Sequence, residues 1–126
     1  MFEVVDAGIA RSKAPVNGTV RAGDRVFTTH VPKDPATGAI IDGDITAQTR
    51  RMLGNLKRAM EAAGGSLRDV VSVLIFLTDA ADFDAMNAVY TEFFSEPYPT
   101  RATVVVKELI GGKARIELQA QAWLQG

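Results

Sequence analysis

The chain has 126 residues, of which 47% are hydrophobic and 23% charged, with 14 basic and 15 acidic side chains. These values are typical of one globular domain, so residues 1–126 are predicted to form a single domain. The lack of cysteine excludes disulfides, thiolate catalysis and cysteine–zinc sites, and one histidine excludes a histidine-rich metal site within the chain. No cofactor is therefore predicted, and the balanced charge gives no field that would recruit nucleic acid.

The first residues, 1–6, lack a signal-peptide pattern. No stretch approaches the roughly 18 consecutive apolar residues that a membrane span needs. The expectation is a cytoplasmic protein of a reducing compartment that makes no membrane contact.

The first half of the chain predicts a hairpin followed by a helix. A short strand is expected at residues 2–5, and two strands flank Gly23-Asp24, where glycine supplies a positive φ. Turn residues predict a loop at 32–38. Asp44 is the expected N-cap of a helix that stops at Gly64, because apolar residues recur between them at helical spacing.

The second half begins with residues 69–77, which are nearly continuous in apolar side chains and predict a central strand covered on both faces. Asp82 is the expected cap of a second helix, whose apolar stripe consists of Phe83, Met86, Tyr90, Phe93 and Phe94. Asn87 lies on that stripe, where an unpartnered amide would cost about 1–3 kcal/mol. Two interpretations stay open: Asn87 bonds a loop backbone, or it contacts a ligand.

Arg101 stands where a loop meets a strand. Pro97 and Pro99 prevent the second helix from continuing, and the residues after Arg101 are mostly β-branched. A guanidinium offers a rigid fork of donors that suits a carboxylate, although an arginine is more often a surface or ion-pair residue.

The last strand alternates between apolar and polar residues over positions 115–124. Its apolar set is expected to face the helices, while Glu117 and Trp123 fall in the polar set. In a monomer Glu117 would be a solvated carboxylate, whereas a tryptophan in the polar register indicates that a partner partly covers this face. The element order β-β-α-β-α-β-β predicts an α+β fold with a largely antiparallel sheet and two helices on one face.

A series of short motifs runs in a fixed order from about Ala14 to Ala122. Each is weak by itself, but together and at these spacings they are strong. They are Val20-Arg-Ala-Gly23, Val26-Phe27, Asp34-Pro-x-Thr-Gly38, Asp44-Ile-x-x-Gln48-Thr-Arg50, Asn55-Leu56, Ala63-Gly64, Asp69-Val-Val71, Phe76-Leu-Thr-Asp79, Asn87-x-x-Tyr90, Phe93-Phe94, Pro99-x-Arg101 and Ile116-Glu-Leu118.

In these motifs the sequence resembles the Rid (reactive intermediate deaminase) or YjgF family. The resemblance implies a chorismate-mutase-like fold and a homotrimer with a central barrel and intersubunit clefts. It also implies hydrolysis of small 2-enamino or 2-imino acids, such as 2-aminoacrylate, to 2-keto acids and ammonia without a cofactor. Arg101 would grip the substrate carboxylate and Glu117 would position or activate water, while Asn87 and main-chain groups near Thr103 would hold the ligand.

The chain departs from the family pattern at two places. Val16 stands where active members usually carry a tyrosine, and the segment at Thr29-His30 is about one residue shorter than their Ser-Gly-Gln segment. Thr29 could replace the serine hydroxyl. His30 either projects into the cleft and titrates near neutrality or is a loop histidine without a catalytic role. These departures are interpreted as altered substrate preference.

Three functions compete. The first is the enamine/imine deaminase, favoured by the retained Arg101 and Glu117. The second is a non-catalytic trimer that binds small carboxylates for sensing or protein protection, favoured by the two departures. The third is ribonuclease activity or inhibition of translation, disfavoured by the balanced charge and the lack of a basic, aromatic-studded groove.

Overall fold

The computed structural model describes residues 1–125 of the chain. They form six strands and two α-helices, with a 3₁₀ turn before β4 and another before α2. The elements are β1 (Glu3–Val4), β2 (Thr19–Ala22), β3 (Arg25–His30), α1 (Ile45–Ala62), β4 (Val70–Leu77), α2 (Phe83–Phe93), β5 (Thr100–Val105) and β6 (Ile116–Trp123), with the 3₁₀ turns at Leu67–Asp69 and Ala80–Asp82.

The six strands form one sheet in the order β1-β2-β3-β6-β4-β5. Every neighbouring pair is antiparallel except β4 and β5, which run parallel. Both helices pack on the same face, so the predicted α+β fold with a largely antiparallel sheet is confirmed, and the short first strand is present. Neither α-helix in the described part of the chain is long and apolar enough to cross a membrane.

The predicted ends of α1 and the predicted hairpin are confirmed. Asp44 accepts a hydrogen bond from the Ala47 amide at 2.9 Å, which satisfies one of the free N–H groups of the first turn. Gly64 ends the helix with φ +98°, a conformation that favours glycine. Gly23 adopts φ +63° in the two-residue turn between β2 and β3.

The second helix begins at Phe83, but the role predicted for Asp82 is wrong. The Asp82 side chain makes no capping hydrogen bond, and its carboxylate instead pairs with Arg115 at 3.0 Å. The residue that caps this region is Asp79, whose side chain accepts from the Ala81 amide at the 3₁₀ turn. The extra turn moves the cap three residues towards the N-terminus.

Alternation along the strands places the core on the helix side of the sheet. In β6 the apolar set is buried as predicted, with Ile116 and Leu118 fully enclosed. The prediction that β4 is covered on both faces is wrong for the single chain, since Ile75 is buried but Phe76 is only half-buried on the other face. We call that second face, which no helix covers, the open face of the sheet.

Trp123 also lies on the open face and is 47% exposed. Its indole N–H donates to Asp24 at 2.7 Å, and the Arg25 guanidinium lies 4.9 Å from its ring centroid. These contacts account for a tryptophan in the polar register within one chain, so its burial against a partner stays a prediction.

Gln48 joins three segments from a buried position on α1. Its amide nitrogen donates to the carbonyls of Ile41 and Lys113, both at 3.1 Å, and its amide oxygen accepts from the Arg115 N–H at 2.7 Å. It thereby fixes the loop that leads into β6, the strand that carries Glu117.

We expect Gln48→Leu to lower the free energy of unfolding by about 2–4 kcal/mol, because three part-buried backbone groups lose the partner that the buried Gln48 amide provides. Denaturant unfolding would measure this. Gln125→Leu makes the same chemical change at an exposed position and should stay within about 0.5 kcal/mol of wild type. Equal effects of the two variants would show that Gln48 does not secure the loop.

Candidate functional site

Arg101 lies at the start of β5, which forms one edge of the sheet. Its position follows from the chain before it: α2 ends at Phe93, and Pro97 and Pro99 carry an extended loop back to the sheet. In the parallel ladder Arg101 is paired with Val73, which is buried on the helix side. The half-buried arginine side chain therefore lies between β5 and α2.

Four side chains of α2 surround the Arg101 guanidinium. Nη2 donates to Oδ1 of Asn87 at 2.7 Å, and Nη1 lies 4.0 Å from Sδ of Met86. The guanidinium carbon lies 4.6 Å from the ring centroid of Tyr90 and 5.8 Å from that of Phe83. The Asn87 amide thus has a partner that neither sequence interpretation named, the arginine itself.

No carboxylate neutralises Arg101 within residues 1–125, where the ion pairs are Arg50–Glu92 and Arg115–Asp82. A half-buried guanidinium held by an amide and by aromatic rings keeps its full positive charge and most of its N–H donors. Thr103 lies two residues further along β5, on the same side of the sheet. This half of the site can bind an anion.

Glu117 lies on the open face, beside Phe76 in the antiparallel ladder. Its side chain is half-buried, and burial raises the pKa of the carboxyl above its ordinary value of 4.5. No hydrogen bond reaches this carboxylate from the residues that the structure describes. A carboxylate without a partner and with a raised pKa is a better proton acceptor than an ordinary surface carboxylate.

The sheet separates Arg101 from Glu117. Val73 pairs with Arg101 and Phe76 pairs with Glu117, and these two residues of β4 point to opposite faces. The two backbones are also about 10 Å apart across β4 and about 10 Å apart along the strands. One chain therefore does not bring the two predicted catalytic residues together.

Thr29 lies on the same face as Glu117. It pairs with Gln119, two positions along β6 from Glu117, and its amide donates to the Gly18 carbonyl at 2.9 Å. Val16 lies in the loop before β2 and is 58% exposed. The predicted residues thus form two groups, with Arg101, Asn87 and Thr103 on the helix side and Thr29 with Glu117 on the open face.

Neither alternative for His30 is correct in its placement, because the residue lies in β3 and not in a loop, and its side chain does not titrate near neutrality. The residue ends β3 with its side chain on the helix side, buried to 5% exposure, and Nε2 bonds Oγ1 of Thr28 at 2.6 Å. The Thr28 hydroxyl also bonds Thr19 at 2.7 Å. Burial, with a smaller contribution from the charge of Lys33, lowers the pKa of His30 to about 4. His30 is a neutral core histidine that stands apart from both groups.

The depressed pKa of His30 predicts an acid-sensitive fold. Because the unfolded chain binds the proton with a pKa near 6.5 and the folded chain with one of about 4, His30's contribution to stability is complete above pH 6.5. It is lost as the pH falls towards 4, on the order of 3 kcal/mol in all. The difference in unfolding free energy between wild type and His30→Gln, measured from pH 7 to pH 4, isolates this effect from that of the carboxylates. A difference that stays constant with pH would contradict it.

Tyr90 and Phe83 contact Arg101 but were predicted only as parts of an apolar stripe. Residues 83, 87 and 90 recur at helical spacing, so one face of α2 presents all three towards the strand that follows. Phe83 is 40% exposed, which is unusual for a core residue and marks it as part of the surface around Arg101. No group of three potential metal-binding side chains is found in residues 1–125.

Comparison with known proteins places this geometry in a family. The sequence profile described as Endoribonuclease L-PSP matches residues 9–124, which is most of the chain. The chain belongs to the YjgF/RidA family. Its relatives in the YjgF/RidA family include a RutC family protein of Pyrococcus horikoshii, 44% identical over 110 residues that cover 86% of each chain.

Solved structures of the YjgF/RidA family share the whole fold. RidA from an Antarctic Psychrobacter species superposes with a TM-score of 0.90 at 32% identity, covering 97% of this chain and 99% of its own. TdcF from E. coli, solved with bound serine, gives a TM-score of 0.88 at 34% identity and covers 98% of both chains. The family resemblance read from the motifs is confirmed.

Proposed function

We propose that the protein is an enamine/imine deaminase, which hydrolyses small 2-enamino or 2-imino acids to 2-keto acids and ammonia. The observation that carries this proposal is the Arg101 guanidinium, which Asn87 and the α2 rings orient while no carboxylate of the described chain pairs with it. A planar donor fork held in this way is suited to the carboxylate that all these substrates share.

The two halves of the site divide the reaction between binding and proton transfer. Arg101 binds the substrate carboxylate, with Asn87 and the main chain near Thr103 beside it. Glu117 accepts a proton from water as the water oxygen attacks the imine carbon, and the C=N bond becomes a C–N single bond. Glu117 then returns that proton to the nitrogen, which gives a carbinolamine. A second transfer through Glu117 moves the hydroxyl proton to the nitrogen; the C–N bond breaks as the C=O bond of the 2-keto acid forms, and ammonia leaves. The hydroxyl of Thr29, on the same face of the sheet as Glu117, hydrogen-bonds the substrate in this proposal.

The barrier that the protein must lower is small. An imine carbon is electrophilic and hydrolyses in water unaided, so orientation of the carboxylate and of one water molecule supplies the few kcal/mol required. An enamine reacts after tautomerising to its imine. This chemistry needs no cofactor.

The active unit in this proposal is a cytoplasmic homotrimer whose clefts lie between subunits. The opposite faces of Arg101 and Glu117 support it, because a cleft between copies can receive the arginine group from one chain and the glutamate group from another. The serine bound to TdcF supports a small amino-acid-like ligand. No nucleic acid or membrane is a partner.

The test generates 2-iminopropanoate with an amino-acid oxidase and traps it with semicarbazide. Purified protein is expected to suppress trapping, and Arg101→Ala is expected not to. Suppression by neither protein, with this imine and with larger ones, would overturn the proposal.

The second candidate is a non-catalytic trimer that binds small carboxylates, favoured by Val16 in place of a tyrosine and by the shortened segment at Thr29. It predicts that wild type binds pyruvate through Arg101 but hydrolyses no imine. Nuclease activity, which the family description Endoribonuclease L-PSP suggests, is the least favoured of the three functions. The chain has no excess of basic residues to bind a nucleic acid backbone.

A further inference from the structure

Tyr90 occupies an unusual position beneath the guanidinium of Arg101. The residue is 5% exposed, and its hydroxyl has no hydrogen-bond partner within the described residues. One neighbour of its ring is Phe94, at 4.6 Å between centroids and nearly parallel, and another is the Arg101 guanidinium at 4.6 Å. The ring therefore contacts both a second aromatic ring and a cation, and the contact with the cation is one that a purely apolar core position does not provide.

We propose that Tyr90 is a positioning residue for Arg101, with its ring supporting the guanidinium while Asn87 fixes the rotation of the guanidinium about its axis. A cation over an aromatic face is attracted by the electron density of the ring, and the hydrogen bond from Nη2 to the Asn87 amide oxygen fixes its direction. Phe83, 5.8 Å away, extends the same aromatic surface. This inference rests on the proposed function, because the positioned group is the carboxylate clamp.

The alternative is that Tyr90 only fills the core beside α2. Phe94 separates the two roles, because it lies in the same aromatic stack and is equally buried, yet its ring makes no cation–π contact with Arg101. Loss of either ring removes core packing. Loss of the Tyr90 ring alone removes the support of the arginine.

The variants are therefore Tyr90→Leu, the conservative Tyr90→Phe and the packing control Phe94→Leu. Tyr90→Leu is expected to raise KM for 2-iminopropanoate about tenfold with kcat within about threefold of wild type, since carboxylate binding is weakened. Tyr90→Phe keeps the ring and should restore KM. A KM for Phe94→Leu that rises as much as that of Tyr90→Leu would overturn the proposal.

A second readout does not depend on activity. The NMR signal of Arg101 Nε–Hε, assigned by its loss in Arg101→Ala, should lie upfield because of the Tyr90 ring current. It should return to its ordinary position in Tyr90→Leu and stay shifted in Tyr90→Phe and Phe94→Leu. If Tyr90→Leu does not fold, the wild-type signal alone decides, since an unshifted signal contradicts the contact.

The two readouts separate the two proposals. An upfield signal that depends on Tyr90, in a protein that hydrolyses no imine, would support the positioning role and overturn the deaminase. Normal turnover with a signal that Tyr90→Leu leaves unchanged would overturn the positioning role and support the deaminase.

Discussion

Arg101→Ala is expected to lower kcat/KM for a 2-imino acid about 10³-fold, because two charge-assisted hydrogen bonds to the carboxylate are lost. Pyruvate binding should fall by a similar factor. The melting temperature should change by no more than about 4 °C, since the side chain is half-buried at a sheet edge and makes no ion pair in the described chain. Turnover assays, calorimetric titration with pyruvate and a thermal scan measure the three quantities.

Arg50→Ala is the matched control for this prediction. It removes the same charge from an exposed position on α1, where Arg50 pairs with Glu92 at 2.7 Å. Its turnover should equal that of wild type, because an exposed pair contributes little. Arg101→Lys should recover only part of the activity, since an ammonium lacks the planar fork. Full activity of Arg101→Ala would show that Arg101 does not bind the substrate carboxylate.

Glu117→Gln is expected to lower kcat by about 10²–10⁴-fold while pyruvate binding stays within about threefold, because the amide cannot accept the proton from water. The pKa of Glu117 is raised by burial, so the wild-type rate should fall on acidification with a midpoint above pH 4.5. That acid limb should vanish in the residual activity of the variant. Rate profiles from pH 4 to pH 8 check both statements.

The stability of Glu117→Gln gives the control. A carboxyl whose folded pKa is raised binds its proton more tightly in the folded state, so its charge at neutral pH opposes folding. Removing that charge should leave the melting temperature unchanged or slightly higher. A lower melting temperature together with equal losses of binding and turnover would make Glu117 a structural residue.

Local signals were enough to predict most of the fold. Asp44, Gly64 and Gly23 each perform the local role that their residue type favours, and the alternation of β6 assigned its two faces correctly. The prediction that Asp82 caps α2 was wrong because a 3₁₀ turn precedes the helix, and the spacing of apolar residues does not reveal such a turn. The prediction that β4 is covered on both faces was wrong because a continuous apolar run does not reveal whether another part of the same chain covers its second face.

The candidate site was predictable as residues but not as an arrangement. Arg101 was identified from its loop-to-strand position, but its contacts with Asn87 and Tyr90 depend on the packing of α2 against β5. His30 could have been placed by extending the alternation from Val26 through Thr28, which are both buried. The shortened segment obscured that register. The positions of Arg101 and Glu117 on opposite faces follow from the pairing of both β5 and β6 with β4. These strands are distant in the sequence, so local patterns do not predict the arrangement.

The separation of Arg101 and Glu117 by the sheet has a kinetic consequence. Under the proposed function each substrate molecule is served by two chains, so the rate law contains the association constant of the subunits. Specific activity would then fall on dilution below that constant, although every chain remained folded. The amount of this protein in the cell would set both the number of active sites and the fraction of them that is complete.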